Sequence, residues 1–199
     1  MYRVYEENRD NVERNRLTII GCGTAYNAIL DVDRQAAAGI DDDMLSLVKL
    51  HLHIPESITD HDEYLKSILI PACRGAVETY TGLSIVPQTI TAILRNELGN
   101  IELPYGPVLE ITSVQNRNDE EVTDYKVNGG QFKRIETSGD WFQVIYEAGY
   151  ETIPSELQMA ILQEVAYRFE NRGDQGKSDL SDGAKSYASR YRRVETWLP

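Results

Sequence analysis

The chain has 199 residues and a mass of 22.6 kDa, enough for one domain that buries its own core without disulfides or metals. Hydrophobic residues make up 41% and charged residues 26%, ordinary globular usage that excludes a wholly disordered or fibrous chain. Twenty basic against 32 acidic side chains give a formal net charge of −12. That is the wrong sign for gripping DNA phosphates, though compatible with surrounding DNA without sticking to it.

Residues 1–40 read as an N-terminal arm. Its first sixteen residues mix four Arg with Glu6, Glu7, Asp10 and Glu13 and offer no apolar helical face. Leu17-Thr18-Ile19-Ile20 then reads as a short strand stopped by Gly21-Cys22-Gly23, and Ala25 to Ala38 as a weak helix. From 41 to 172 the pattern sharpens into a core. Asp41-Asp42-Asp43 supplies a cap and favourable charge for a helix over 43–53, with Met44, Leu47, Val48 and Leu52 on one face. A longer helix over 60–82 carries Leu65, Ile68, Leu69, Ala72, Cys73, Ala76, Val77 and Tyr80 at three-and-four spacing. Gly82 stands at its end, and Pro71 inside it predicts a kink.

Residues 85–147 change to period two and predict an inserted antiparallel meander of about five strands. Within it Val108–Val114 and Trp141–Tyr146 read as strands. Gly129-Gly130 reads as a two-residue hairpin turn between Tyr125–Asn128 and Gln131–Ile135. Pro154 opens a helix over 154–171, with Leu157, Ala160, Ile161, Val165 and Phe169 as its buried face. Residues 173–199 begin as a polar linker and end as a C-terminal arm. The expected fold class is α+β: a small helical bundle with an inserted antiparallel β meander, plus extended N- and C-terminal arms.

The chemistry-bearing signals are weak. His51 and His53 are two apart, so on a helix they diverge and cannot share an ion; His61 adds no motif spacing. Gly21-x-Gly23 has Tyr26 where a dinucleotide fold needs its third glycine. Gly176-Lys177-Ser178 lacks the earlier glycine of a phosphate loop, since Asn171 occupies that place. Cys22 and Cys73 form neither a metal spacing nor a disulfide framework. No Gly-x-Ser-x-Gly elbow is present, and nothing selects a carboxylate pair. The reading is of a non-enzyme with no cofactor and no metal. No run of about 18 apolar residues exists, so no membrane span is expected.

The unusual feature is the C-terminal segment. Residues 185–194 hold Lys185, Arg190, Arg192 and Arg193 and no acid, interleaved with Tyr187 and Tyr191 and followed by Trp197 and Leu198. Such a stretch could pack on its own domain, bind nucleic acid or dock on an acidic partner. Arg, Tyr and Trp are the residue types enriched at interface hot spots, which favours docking.

Taken in order, several segments together resemble the head–tail connector proteins of tailed bacteriophages, also called adaptor or head-completion proteins. They are Leu47–Leu52, Leu65–Gly82 with its Ile70-Pro71-Ala72-Cys73 centre, Leu103-Pro104-Tyr105-Gly106-Pro107-Val108, Ile145-Tyr146-Glu147-Ala148-Gly149-Tyr150 and Tyr167–Arg172. The resemblance covers about residues 41–172. It implies a virion protein assembled in the host cytoplasm. It further implies a ring, usually of twelve copies, beneath the portal protein at the capsid vertex. Such a ring extends the DNA channel, helps retain packaged DNA and meets the tail or a further ring protein. DNA would pass through without specific binding, and no membrane is involved. The C-terminal residues Lys185, Tyr187, Arg190, Tyr191, Arg192, Arg193, Trp197 and Leu198 would dock the portal. Glu97, Glu102, Asp119, Glu120, Glu121 and Asp124, beside turns of the β insertion, are the expected channel-facing acids. The alternative is a small DNA-binding or nucleotide-binding accessory protein.

Overall fold

The computed structural model describes residues 18–20, 27–36, 42–96, 98–172 and 180–193. Helix α1 spans Asp42–His51 and buries Met44 and Val48, one turn apart, against the helical core. Lys49 is also turned inward, only 1% exposed. Its Nζ lies 3.0 Å from Asp62 Oδ1 and donates to the Glu56 carbonyl at 3.1 Å, which ties the intervening loop to the helix.

The expected long helix forms in three parts: α2 (Asp62–Tyr64), a π-helical turn (Leu65–Leu69) and α3 (Ile70–Thr81). Pro71 sits in the first turn of α3. Proline lacks an N–H and its ring crowds the carbonyl four residues back; the wider π turn just before it absorbs both demands. Gly82 ends α3 in the left-handed region at φ 73°, donating its N–H to the Glu78 carbonyl at 2.9 Å. Helix α4 (Ser155–Glu170) begins after Pro154, which serves as its N-cap rather than its first residue.

The strands form two antiparallel sheets. In the larger, the order is β1 (Thr18–Ile20), β2 (Asn27–Ala36), β3 (Gln88–Asn96), β8 (Trp141–Ala148) and β5 (Val108–Gln115). The smaller orders β4 (Asn100–Glu102), β7 (Arg134–Thr137) and β6 (Tyr125–Asn128). Alternation in β3 and β8 places Ile90 opposite Tyr146, Ala92 opposite Val144 and Leu94 opposite Phe142, all buried on one face. Ile101 of β4 and Ile135 of β7 join that core, so the small sheet lies against the large one. A separate core gathers α1, α3, α4 and the C-terminal residues Leu180, Ala184 and Ala188.

The α+β class holds, with three corrections. Residues 27–36 are a strand of the main sheet, not a helix within a free arm. Their inward-facing positions include Arg34, whose charge conceals the period-two pattern. Residues 182–188 form helix α5 (Asp182–Ala188), followed by a 3-10 turn (Ser189–Tyr191), both within the segment expected to be linker and arm. The stripe Leu180, Ala184, Ala188 buries it, and small residues carry too little hydrophobicity to announce this. The β6–β7 hairpin pairs Asn128 with Arg134, so its loop is residues 129–133 rather than the two glycines alone.

Gly149 sits at φ 143°, and a Cβ there would meet the Val86 carbonyl oxygen at 2.5 Å. Gly149→Ala is therefore expected to cost at least about 1–2 kcal/mol in urea unfolding. Gly130→Ala, where nothing lies within 4 Å, should stay within about 0.5 kcal/mol of the parent.

Candidate functional site

The C-terminal segment is attached at its start by a buried carboxylate. Glu164 of α4 is 1% exposed; its Oε1 takes Arg168 Nε at 2.7 Å and its Oε2 takes the Ser181 N–H at 2.8 Å. Ser181 then caps α5, its Oγ accepting the Ala184 N–H at 3.2 Å. A single glutamate thus fixes where α5 starts on α4.

The basic and aromatic residues beyond α5 fold back onto the body. Tyr191 donates its hydroxyl to Glu156 Oε2 at 2.6 Å, and Arg190 Nη1 reaches Glu156 Oε1 at 3.3 Å. The hydrogen bond to Glu156, then burial, pushes the Tyr191 phenol above its ordinary range. The Arg192 guanidinium lies 5.3 Å from the Tyr80 ring centre. Arg193 is the most deeply held. It pairs with the Glu102 carboxylate and donates Nη1 to the Leu103 and Pro104 carbonyls at 3.3 and 3.0 Å. It also covers the Phe132 ring at 5.1 Å, and its backbone N–H reaches the Thr81 carbonyl at 2.9 Å. The sequence shows the sign of these cations but not their acids, which lie 34 residues away for Arg190 and 91 for Arg193.

The expectation of a free arm over 173–199 is therefore corrected for residues 180–193. Of the expected docking residues, Arg190, Tyr191, Arg192 and Arg193 contact this chain's own body. Lys185 is half-buried, and Tyr187 is exposed at 36%. Trp197 and Leu198 lie outside the described residues.

The acids separate in the same way. Glu102 is shared by Arg193 and by Arg134, whose Nε lies 2.9 Å from its Oε2, so its charge is spent within the chain. Asp119, Glu120, Glu121 and Asp124 instead fall together on the exposed loop between β5 and β6. Asn116 organises that loop: its Oδ1 accepts the Asn118 and Glu120 N–H groups at 2.9 and 3.1 Å, and its Nδ2 donates to Glu120 Oε2 at 2.9 Å. Glu97 lies outside the described residues, as do Gly21, Cys22 and Gly23 and the Gly176-Lys177-Ser178 stretch.

His61 meets the Phe169 ring edge-on at 5.6 Å, and His53 takes the left-handed φ of 56° just past α1. Cys73 is fully buried, and that burial pushes its thiol up to about 12, out of the range of a nucleophile at neutral pH. Glu78, 3% exposed, has its carboxyl raised by burial, opposed chiefly by the Arg34 guanidinium 3.0 Å away.

A family model for phage gp6-like head-tail connector proteins matches residues 42–198, and the chain belongs to that family. No curated protein matches it. Among solved structures, its fold is similar to a chain in the virion of a native gene transfer agent particle, with a TM-score of 0.68 and 18% identity. That match covers 83% of this chain and 96% of the other. It is also similar to a chain in the neck of the empty particle computed with C6 symmetry, with a TM-score of 0.67, 16% identity and coverage of 84% and 97%. A third similar chain is from the neck of the native particle computed with C12 symmetry, with a TM-score of 0.65, 17% identity and coverage of 84% and 97%.

Glu164→Ala removes the acceptor for the Ser181 N–H and is expected to cost about 1–3 kcal/mol. Because the loss is local, limited proteolysis should cut first between residues 173 and 193 while α4 and the sheet remain protected. Equal release of fragments from the whole chain would show that Glu164 acts on the global fold instead.

Proposed function

We propose that this member of the head-tail connector family forms a closed ring of twelve copies beneath the portal protein and joins the capsid to the tail. The observation that carries this reading is the family match, which spans the folded unit from α1 through the C-terminal segment. The similarity to chains in particle necks computed with C6 and C12 symmetry supports a cyclic arrangement. Heterologous contacts between identical copies must either close into a ring or run on as a filament. The ring would extend the DNA channel, help retain packaged DNA and present its far face to the tail or a further ring protein.

Docking on the portal falls to residues 194–199, with Trp197 and Leu198 as apolar anchors, and to the exposed Tyr187 of α5. Arg193 is itself held on the body, which fixes the point from which the following residues start. Twelve such weak contacts act together through their shared ring. Burying Trp197 and Leu198 would remove apolar area of order 100–200 Å² per copy. The acidic loop carrying Asp119, Glu120, Glu121 and Asp124 suits a channel wall, since like charge keeps a duplex from adhering. A DNA-binding role for the basic segment has less support, because Arg190 and Arg193 are matched by Glu156 and Glu102.

Two experiments test this. Deleting residues 194–199 should leave the folded unit intact by circular dichroism and abolish attachment to portal-bearing capsids; attachment at the wild-type level would place the docking surface elsewhere. A reconstruction of the assembled particle should show twelve copies at the vertex, and one or two copies per particle would overturn the ring.

A further inference from the structure

Four of the nine large hydrophobic side chains exposed among the described residues fall between positions 47 and 68, so they cluster in the first two helical segments. They are Leu47 at 42%, Leu50 at 72%, Ile58 at 43% and Ile68 at 59%. Leu47 and Leu50 are three apart on α1 and share its outer face. Ile68 lies in the π-helical turn, which takes more residues per turn than an α-helix. Leu65 and Leu69 therefore stay in the core while Ile68 turns outward. Lys49 draws these pieces together. Its Nζ binds Asp62 at the start of α2 and the Glu56 carbonyl in the loop that carries Ile58. The apolar spacing predicts Leu47 and Ile68 on inner faces, so both helices carry more apolar surface than their own core uses.

The segment joining the two helices adds charge of one sign. Glu56, Asp60 and Glu63 are all exposed. An occupant of this face must bring apolar surface with positive charge beside it. In a chain of net charge −12, residues 125–135 of the β6–β7 hairpin hold Lys126, Lys133 and Arg134 and no acid. Lys126, Val127 and Asn128 are exposed on β6, an outer strand of the small sheet, with Val127 at 43%. Lys126 forms no ion pair among the described residues. Arg134 gives its Nε to Glu102 and keeps further N–H donors on a half-exposed side chain. The C-terminal segment is also basic, but its Arg190 and Arg193 are already matched by Glu156 and Glu102.

We propose that the β6–β7 hairpin of one copy seats on this helical face of the next copy. Val127 lies on the apolar centre and Lys126 among Glu56, Asp60 and Glu63. The inference rests on the ring proposed above. Two different surfaces meet, as a heterologous contact between identical copies requires. The apolar side chains exclude water, and the charges select which segment lands there.

A photo-crosslinking benzoylphenylalanine replacing Leu50 or Ile68, carried into assembled particles, tests the contact. A covalent dimer of this chain should form, and mass spectrometry should place the second peptide within residues 125–135. Crosslinks to a different protein, to another segment of this chain, or to nothing would overturn the proposal. Lys126→Glu puts a like charge at the acidic rim and should lower occupancy on portal-bearing capsids at least about tenfold, with circular dichroism unchanged. Occupancy at the wild-type level would equally overturn it. Twelve copies at the vertex with crosslinks elsewhere would remove the hairpin contact and leave the ring. One or two copies would remove the ring and this contact with it.

Discussion

One buried carboxylate joins the layers of this molecule. Glu78 lies in the last turn of α3, where its backbone carbonyl accepts the Gly82 N–H and closes the helix. Its side chain binds Ile85 in the connection to the sheet, Gln88 at the start of β3 and Arg34 on β2. The helices and strands keep separate apolar cores, so packing alone leaves their relative placement loosely specified. A charge that must be satisfied from three elements at once fixes that placement. An unpaired buried carboxylate costs several kcal/mol, which excludes arrangements that leave it alone.

The same device recurs twice more. Lys49 holds the turn after α1 through Asp62 and the Glu56 carbonyl. Glu164 holds the entry of α5 through the Ser181 N–H. Each of these groups sits in a helix and reaches a segment beyond it. Apolar packing is supplemented there by a specific polar contact. The three cover α1 with its loop, the helix–sheet junction and the C-terminal helix.

Much of the helical frame was legible because its signals are local. The apolar spacing from Leu65 to Tyr80, Gly82 as a left-handed cap, and the alternation through Trp141–Tyr146 need no distant partner to be read. β2 and α5 were not legible for one shared reason. In β2 the inward position after Val32 is Arg34, a charge whose burial makes sense only beside Glu78, 44 residues on. In α5 the buried residues are Ala184 and Ala188, with Leu180 just before the helix, and two alanines are too small to mark a face until α4 lies against them. The candidate site suffered likewise. Arg190 and Arg193 read as outward-facing cations because spacing cannot show Glu156 and Glu102 as their acids.

That pairing reshapes how a chain of net charge −12 can assemble with copies of itself. Arg34, Lys49, Arg134, Arg168, Arg190 and Arg193 are all engaged with acids of their own chain. Arg34, Lys49 and Arg193 are buried with their acids and cannot serve a neighbour without breaking those contacts, whereas the exposed guanidinium groups of Arg134 and Arg190 carry further N–H donors. Neighbouring copies in a ring would repel, more so at low salt, where the screening length grows. Apolar contact would then be one source of cohesion. Leu50 at 72% exposure and Ile68 at 59%, with Leu47 and Ile58 near 42%, are the large exposed side chains of the helical side available for it. Twelve copies would also concentrate the acidic loops, so the charge that opposes assembly is the charge that suits a channel wall. A ring built this way tightens as salt rises, the reverse of a ring built on ion pairs.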